Sequence, residues 1–478
     1  MAASKSLMAS LTHYRPITCS TPTASPPTPF ASSSRLVPYP PNLIKWVKRE
    51  GGFVHPSVRI SEDGPYGLGL VASQEIPKGS PLIALPEHVP LKFGPFVDRE
   101  GLDGPTSVLA GLASHVPDEL WSMKLALKLL HERAKDDSFW WPYISNLPET
   151  FNVPIFFQKE DIEDLQYSPI VRQVKKRCRF LLDFDKLVQK FLGNVDPSDH
   201  PFAGKDVESS ALGWAMSAVS SRAFRLYGET LPDGSHLDAP MMLPLIDMCN
   251  HSFDPNSHIV QEKDAGKDDM LVTVVAQTQI GANDPLLLNY GSLSNDLFFL
   301  DYGFVVPSNP YDCIDLTCNL GMLEAAGYTI GVYSPNFSSP KLWQQKILSE
   351  LQLIGEASNP KVTIGGEEQV DGRLLAALRV LLASDEDAVK KVDLETLKSL
   401  SAFAPLGDEI ELSALHIIVA LIANIFQRMP TKRHDDDEIL RRPIPDSTRS
   451  VVEYRIEKKE VLSEVMRTLG VKVKALML

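Results

Sequence analysis

Leu245-Ile246-Asp247-Met248-Cys249-Asn250-His251-Ser252, read with Leu287-Leu288-Asn289-Tyr290-Gly291 further along, decides how this chain is to be understood. Each stretch sets polar groups at the end of an apolar, strand-like run. The first ends on an Asn-His pair and the second on Tyr-Gly. Asn250 offers a donor and an acceptor, and the His251 ring needs partners wherever it is buried. On residue type alone, a satisfied structural pair is the simpler reading. Neither stretch has the spacing of metal ligands, a phosphate loop or a Ser/His/Asp order. The polar series continues through Asp247, Asn250-His251-Ser252, Tyr290-Gly291, Asn295 and Asp301-Tyr302-Gly303-Phe304. Pro244 to Met248 and Met270 to Ala276 read as strands, and Asp254-Pro255-Asn256 as a turn.

The 478 residues allow two or three domains with ample core. A hydrophobic content of 44% with 23% charge describes ordinary globular composition rather than a disordered or membrane chain. The net charge of −14 disfavours nucleic acid and anionic lipid as partners and suits a basic protein target. Cys19, Cys178, Cys249, Cys313 and Cys318 form no CxxC, so no metal is expected, and their odd number gives no secretory disulfide framework. The apolar run Leu415 to Phe426 is broken by His416 and Asn424. It falls short of the roughly 20 residues of a membrane span, so none is expected. Nothing in the sequence specifies an oligomeric state.

The start of the chain is rich in Ser, Thr, Ala and Pro, carries Lys5, Arg15 and Arg35, and has no acid before Glu50. That is the composition of an organelle transit peptide; an unaddressed disordered tail is the compositional alternative. Leu43, Trp46 and Val47 then share one face of a short helix stopped by Gly51-Gly52. Gly64 to Ala72, Ile76-Pro77-Lys78-Gly79 and Leu82 to Pro86 read as strand, turn, strand. Gly67 and Gly69 lack Cβ atoms, which lets a ligand approach the backbone; a lone GxG is also an ordinary β-turn.

Asp118 is the expected N-cap of a helix carrying Trp121, Leu125 and Leu129. Phe139 to Pro148 is an aromatic, proline-broken segment expected to pack as an ordered core loop. Glu160 to Leu192 reads as one or two helices, with Lys175, Lys176, Arg177 and Arg179 on a solvated face. Ala211 to Leu226 has helical spacing. Beyond Tyr311 the pattern is mostly helical, as at Leu374, Leu378 and Leu381 and at Leu462, Val465 and Leu469. Pro430 and Asp435-Asp436-Asp437-Glu438 are expected to form a solvated break between helices.

The Asn250-His251-Ser252 and Tyr290-Gly291 segments resemble the NHS and YG signatures of SET-domain methyltransferases. The pattern Gly67 to Ala72 with Ile76 to Gly79, the W-P-Y of Trp141-Pro142-Tyr143 with Leu147-Pro148, and Ser221-Arg222-Ala223-Phe224 are similar to the Rubisco large-subunit methyltransferase group. So are Asp435 to Leu440 and Arg455-Ile456-Glu457-Lys458. The resemblance covers about residues 42–470 and departs at Gly281 to Pro285, where the family has a Gly-Glu turn. It implies an α+β protein with a transit peptide (1–40) and a β-rich SET domain (41–310) holding a helical insert (about 90–205). An all-α substrate-binding domain (311–478) follows.

The resemblance also implies a chloroplast (stromal) protein-lysine N-methyltransferase using S-adenosyl-L-methionine, with a protein substrate docked through the C-terminal helical domain. It places Tyr66, Gly67, Leu68, Arg222, Asn250, His251 and Tyr302 at the cofactor. Arg222, Phe224, Asp247 and Tyr290 fall at the substrate, with Tyr290 as the catalytic residue. These types suit the chemistry. Methyl transfer is an in-line displacement in which positioning supplies most of the acceleration, and no metal is required. A lysine must shed its proton before attack, and an apolar channel favours the neutral amine. A histidine-methylating branch shares the Asp-Met-Cys-Asn-His wording but has a polar residue where Phe224 stands, so histidine is the alternative acceptor. A catalytically silent binding module is the other alternative.

Overall fold

The computed structural model describes residues 35–64, 67–93, 104–230, 236–263, 270–354 and 360–478. Tyr66 and residues 1–34, most of the expected transit peptide, lie outside the described residues. The chain divides into two compact units. One comprises Met1–Phe156 and Lys175–Ser292, the other Phe157–Val174 and Leu293–Leu478.

The first unit opens with helix Leu43–Arg49. Asn42 caps it by accepting from the Lys45 amide, and Leu43, Trp46 and Val47 are buried, as their spacing predicts. Strands β1 (Phe53–Val54), β2 (Val58–Gly64), β3 (Gly67–Ala72), β4 (Pro81–Leu85) and β5 (Leu91–Lys92) precede a helical insert. Strands β6 (Ala223–Thr230), β7 (His236–Met242), β8 (Asn250–His251), β9 (Ser257–Lys263), β10 (Met270–Ala276) and β11 (Leu287–Leu288) follow it. They form small sheets ordered β1-β4-β10-β9 and β5-β7-β6, with pairs β2-β3 and β8-β11. Along β10, Val272, Val274 and Ala276 are buried and alternate with half-buried residues, the period of a strand with one core face. Val272 and Val274 lie opposite Leu85 and Ile83 of β4, so the apolar rows of the two strands meet.

Within the insert, Asp118 is not the cap of the long helix. Pro117 leads into a 3-10 turn, Asp118–Leu120, and the α-helix runs Ser122–Ala134. On that helix Glu132 is buried and accepts from Lys128 at 2.8 Å, Lys135 at 2.9 Å and Ser138 at 2.8 Å. The aromatic segment after it is ordered around a helical turn, Trp141–Ile144. Glu160 to Leu192 resolves into helices Lys159–Glu163 and Ser168–Leu192, the latter with Lys175, Lys176 and Arg179 exposed.

Two further expectations shift. The helix expected over Ala211 to Leu226 is Ser209–Ser220, and Ala223 already begins β6. The Ser221 hydroxyl turns back to the Ser217 carbonyl at 2.7 Å, and Phe224 pairs with Met241 of β7. Pro244 to Met248 is not a strand. The strand lies one step earlier, at β7, and Ile246–Met248 is a 3-10 turn entered through Leu245 at φ +72°.

The second unit is mainly helical, but it is not all-α: β12 (Cys313–Thr317) and β13 (Lys361–Gly365) pair antiparallel. Gly365 makes this possible, because a Cβ there would fall 2.8 Å from the Asp312 carbonyl. Helices Gly372–Leu382 and Asp408–Gln427 are joined by a buried bidentate pair, Arg379 to Glu411 at 2.7 and 2.6 Å. Asp408–Gln427 has the length and composition of a membrane span, longer than the sequence run indicated, yet Leu415, Ile417, Ile418 and Ile422 are buried in this unit. Pro430 is exposed in the gap between helices Asp408–Gln427 and Arg433–Leu440, as expected, but the exposed Asp435 and Glu438 and the residues between them do not extend that break. They belong to helix Arg433–Leu440, and Asp436 is buried, accepting from Arg455 and Thr431, each at 2.8 Å, and from Lys459. Lys458 on helix Asp446–Leu476 is also buried. Burial opposes its charge, but Asp296 and Asp312 hold its pKa above the ordinary value.

Candidate active site

The site is built where β8 and β11 run side by side. Asn250 lies opposite Leu287 and His251 opposite Leu288, in parallel register. That register carries Tyr290, two residues past the end of β11, to His251, thirty-nine residues before it: the Tyr290 amide donates to His251 Nδ1 at 3.2 Å. Burial holds the imidazole pKa below its ordinary value, consistent with a ring whose Nδ1 accepts. The Tyr290 and His251 rings are 5.2 Å apart, and Phe253 meets His251 edge-on at 4.6 Å. The Tyr290 hydroxyl donates to the Cys249 carbonyl at 2.6 Å. That bond occupies its proton and turns the hydroxyl oxygen into an acceptor.

Phe224, on β6, stands edge-on to Tyr290, ring centres 6.3 Å apart and planes at 90°. Arg222, in the joint between helix Ser209–Ser220 and β6, donates from Nη1 to the Asp247 carbonyl at 3.1 Å and lies 3.5 Å from Asp247 Oδ2. The Asp247 side chain is wholly buried, and burial pushes its carboxyl up, against the pull of Arg222 and Tyr143. Burial also raises the Cys249 thiol, so it sits here as a neutral group.

The glycines of β3 close the other side. Asn250 Nδ2 faces the Leu68 carbonyl at 3.4 Å. A Cβ on Gly69 would fall 2.4 Å from the same nitrogen, so Gly69 is the seat of Asn250. Gly67 adopts φ +73°, and among the described residues nothing lies within 4 Å of where its Cβ would point. The backbone there is bare, which fits a flat or extended group lying against the main chain.

The structure thus gathers Gly67, Leu68, Arg222, Phe224, Asp247, Asn250, His251 and Tyr290 in the first unit. Tyr302 belongs to the second unit. It ends the helical turn Phe298–Tyr302, packs near Phe298 and Phe304, and has its hydroxyl pKa raised by burial. Two participants escaped the sequence reading. The Cys249 carbonyl carries no residue-type signal. Tyr143, read as a core aromatic and as part of the W-P-Y segment but not as a site residue, donates to Asp247 Oδ2 at 2.6 Å. The available signal was that a buried tyrosine needs a partner for its hydroxyl.

Comparison with known proteins agrees with this geometry. The SET domain family model matches residues 67–291, and the Rubisco LSMT substrate-binding model matches residues 338–462. Actin-histidine N-methyltransferase of Mus musculus is 26% identical over 452 residues, 91% of this chain and 68% of that protein. The Homo sapiens protein of the same name is 25% identical over 453 residues, again 91% and 68%. Among solved structures, the SET domain of LSMT bound to lysine and AdoHcy superposes with a TM-score of 0.63 at 19% identity, covering 91% of each chain. Rubisco LSMT bound to AdoMet gives 0.60 at 18% identity, covering 91% of this chain and 92% of that one. The chain is a SET-domain methyltransferase followed by a substrate-binding domain of the Rubisco LSMT type.

Proposed function

We propose that the protein is an S-adenosylmethionine-dependent protein-lysine N-methyltransferase acting on a chloroplast protein. The observation that carries the reading is the pairing of Tyr290, its hydroxyl proton committed to the Cys249 carbonyl, with the edge of Phe224. When bound, S-adenosylmethionine supplies a methyl group on a positively charged sulfur. Gly67 and Leu68 offer bare backbone to it, and Asn250, seated on Gly69, offers an amide at the same edge. The Tyr290 oxygen accepts an N–H from the incoming amine and so orients its lone pair. Phe224 excludes water on one side, which disfavours the ammonium form of lysine relative to the neutral amine. The second unit, helical and of the substrate-binding type, docks the protein substrate.

Histidine is the second reading, favoured by the sequence relatives, which are named for histidine methylation. Phe224 weighs against it. A phenyl ring gives no hydrogen-bond partner to the far nitrogen of an imidazole, at a cost of about 1–3 kcal/mol. The test incubates the protein with labelled S-adenosylmethionine and a stromal extract and identifies the modified residue by mass spectrometry. Methyl-lysine is expected. Methyl-histidine as the main product overturns the lysine assignment, and absence of both transfer and S-adenosylhomocysteine binding overturns the enzyme reading. The stromal address rests on the acid-free start of the chain. A fluorescent fusion of residues 1–40 tests it, and cytosolic fluorescence with an uncut terminus refutes it.

A further inference from the structure

We infer that Tyr143, contributed by the helical insert, is a positioning residue for Tyr290 and acts through Asp247 and Arg222; the inference rests on the methyltransferase reading of the site. Tyr143 is 1% exposed and lies 104 residues before Asp247, far from both signature segments. A phenylalanine would fill the same space. What the hydroxyl adds is a 2.6 Å bond to Oδ2 of a carboxylate with no access to water. Among the described residues, Asp247 Oδ1 has no hydrogen-bond partner, and Arg222 Nη1 stands 3.5 Å from Oδ2. The groups facing this carboxylate are therefore Arg222, Tyr143 and the neutral Cys249 thiol, and Tyr143 makes its one short hydrogen bond.

The carboxylate matters because the geometry of its own turn reaches the catalytic tyrosine. Arg222 grips the turn Ile246–Met248 through the Asp247 carbonyl at 3.1 Å. That turn begins at Leu245 with φ +72°, a conformation that a bulky side chain holds only when its surroundings impose it. The turn delivers the Cys249 carbonyl, on which the Tyr290 hydroxyl is hung at 2.6 Å. Tyr143 thus fixes Asp247, Asp247 and Arg222 fix the turn, and the turn fixes the oxygen that orients the acceptor. This gives the insert a direct hold on the chemistry.

The test uses the full chain. Tyr143→Phe is expected to slow methyl transfer to stromal proteins by about tenfold, equivalent to about 1.4 kcal/mol. In a Tyr290→Phe background the same change is expected to cost less than about twofold, because the group it positions is already gone. A merely structural Tyr143 gives equal, additive losses in both backgrounds, and that result overturns the inference, as does a wild-type rate in Tyr143→Phe. A second readout needs no activity. Hydrogen–deuterium exchange in the ligand-free protein is expected to accelerate at residues 245–251 and stay unchanged in β4 and β10; unchanged exchange at 245–251 overturns it. Should Tyr143→Phe fail to fold, Asp247→Asn, which keeps an acceptor for Tyr143 but not the charge facing Arg222, is expected to give the same local signature. If the wild type transfers no methyl group, the functional reading fails, while exchange still decides the role of Tyr143.

Discussion

Replacing Gly69 by alanine separates the seat of Asn250 from the fold that surrounds it. Gly69 lies within β3, opposite Ser61, and does not occupy the left-handed region, so alanine meets no backbone strain there. The new Cβ would fall 2.4 Å from Asn250 Nδ2, whereas ordinary contact begins at 3.4 Å, so the amide must retreat by about 1 Å. Its present hold on the Leu68 carbonyl, at 3.4 Å, is too long to resist. The strand therefore survives and Asn250 moves. A displacement of about 1 Å in a positioning group costs up to about 10²-fold. The dissociation constant for S-adenosylhomocysteine is expected to rise by roughly ten- to a hundredfold, about 1.4–2.7 kcal/mol, with a melting midpoint close to that of the wild type. Isothermal titration calorimetry on protein shown to be folded by circular dichroism measures it. In an Asn250→Ala background, Gly69→Ala should add almost nothing. A folded Gly69→Ala protein with wild-type affinity would refute the assignment of Asn250 to the cofactor.

Tyr290→Phe removes one hydroxyl and should lower single-turnover methyl transfer by roughly 10²–10³ with little change in cofactor affinity; near-wild-type turnover would show the hydroxyl to be dispensable. Phe224→Asn should move acceptor preference from lysine toward histidine in matched peptides, read by product analysis, and an unmoved preference would remove Phe224 as the selecting residue. Glu132 sits at a pKa of about 2 against an ordinary 4.5, where burial is outweighed by Lys128, Lys135 and Ser138. Its folded value is the lower one, so its stabilisation is full above about 4.5 and is lost as pH falls toward 2. Urea unfolding at pH 3 and pH 7 should lose that part of its pH dependence in Glu132→Gln, on the order of 1–3 kcal/mol. Asp436→Ala leaves Arg455 and Lys459 buried without their shared carboxylate and should destabilise the second unit by about 3–5 kcal/mol; a loss under about 1 kcal/mol would mean that solvent serves them.

The readable part of the sequence was the part in which each residue acts locally. The apolar, β-branched run Met270 to Ala276 announced a strand, and the spacing of Leu43, Trp46 and Val47 announced a helix, because each pattern depends on one element and one core face. Reading failed where a distant partner decides. Asp435 to Glu438 looks solvated by charge density alone, yet Asp436 is buried because Arg455 and Lys459 reach it from a helix that starts later in the chain. Ala223 and Phe224 have helical spacing behind them, but β7 offers them a ladder. Of the site, the polar residues were visible by type. Tyr143 and the Cys249 carbonyl were not, since one serves a carboxylate 104 residues away and the other is main chain.

The second unit borrows eighteen residues, Phe157–Val174, from the middle of the first, and this governs how the protein can be cut. Asp161 accepts from Ser447 and Thr448, Asp164 receives Arg455 through its carbonyl, Gln166 receives Thr431, and the Tyr167 hydroxyl accepts from the Asp315 amide. A fragment begun at Leu293 would leave each of those groups facing an absent neighbour, so a C-terminal piece expressed alone should be poorly soluble. Supplying residues 157–174 on a tether is the repair. The same threading constrains inheritance: a recombination crossover after residue 292 would pair one parent's segment 157–174 with the other parent's helices. Residues 157–174 and the C-terminal helices that they bind must therefore change together or not at all.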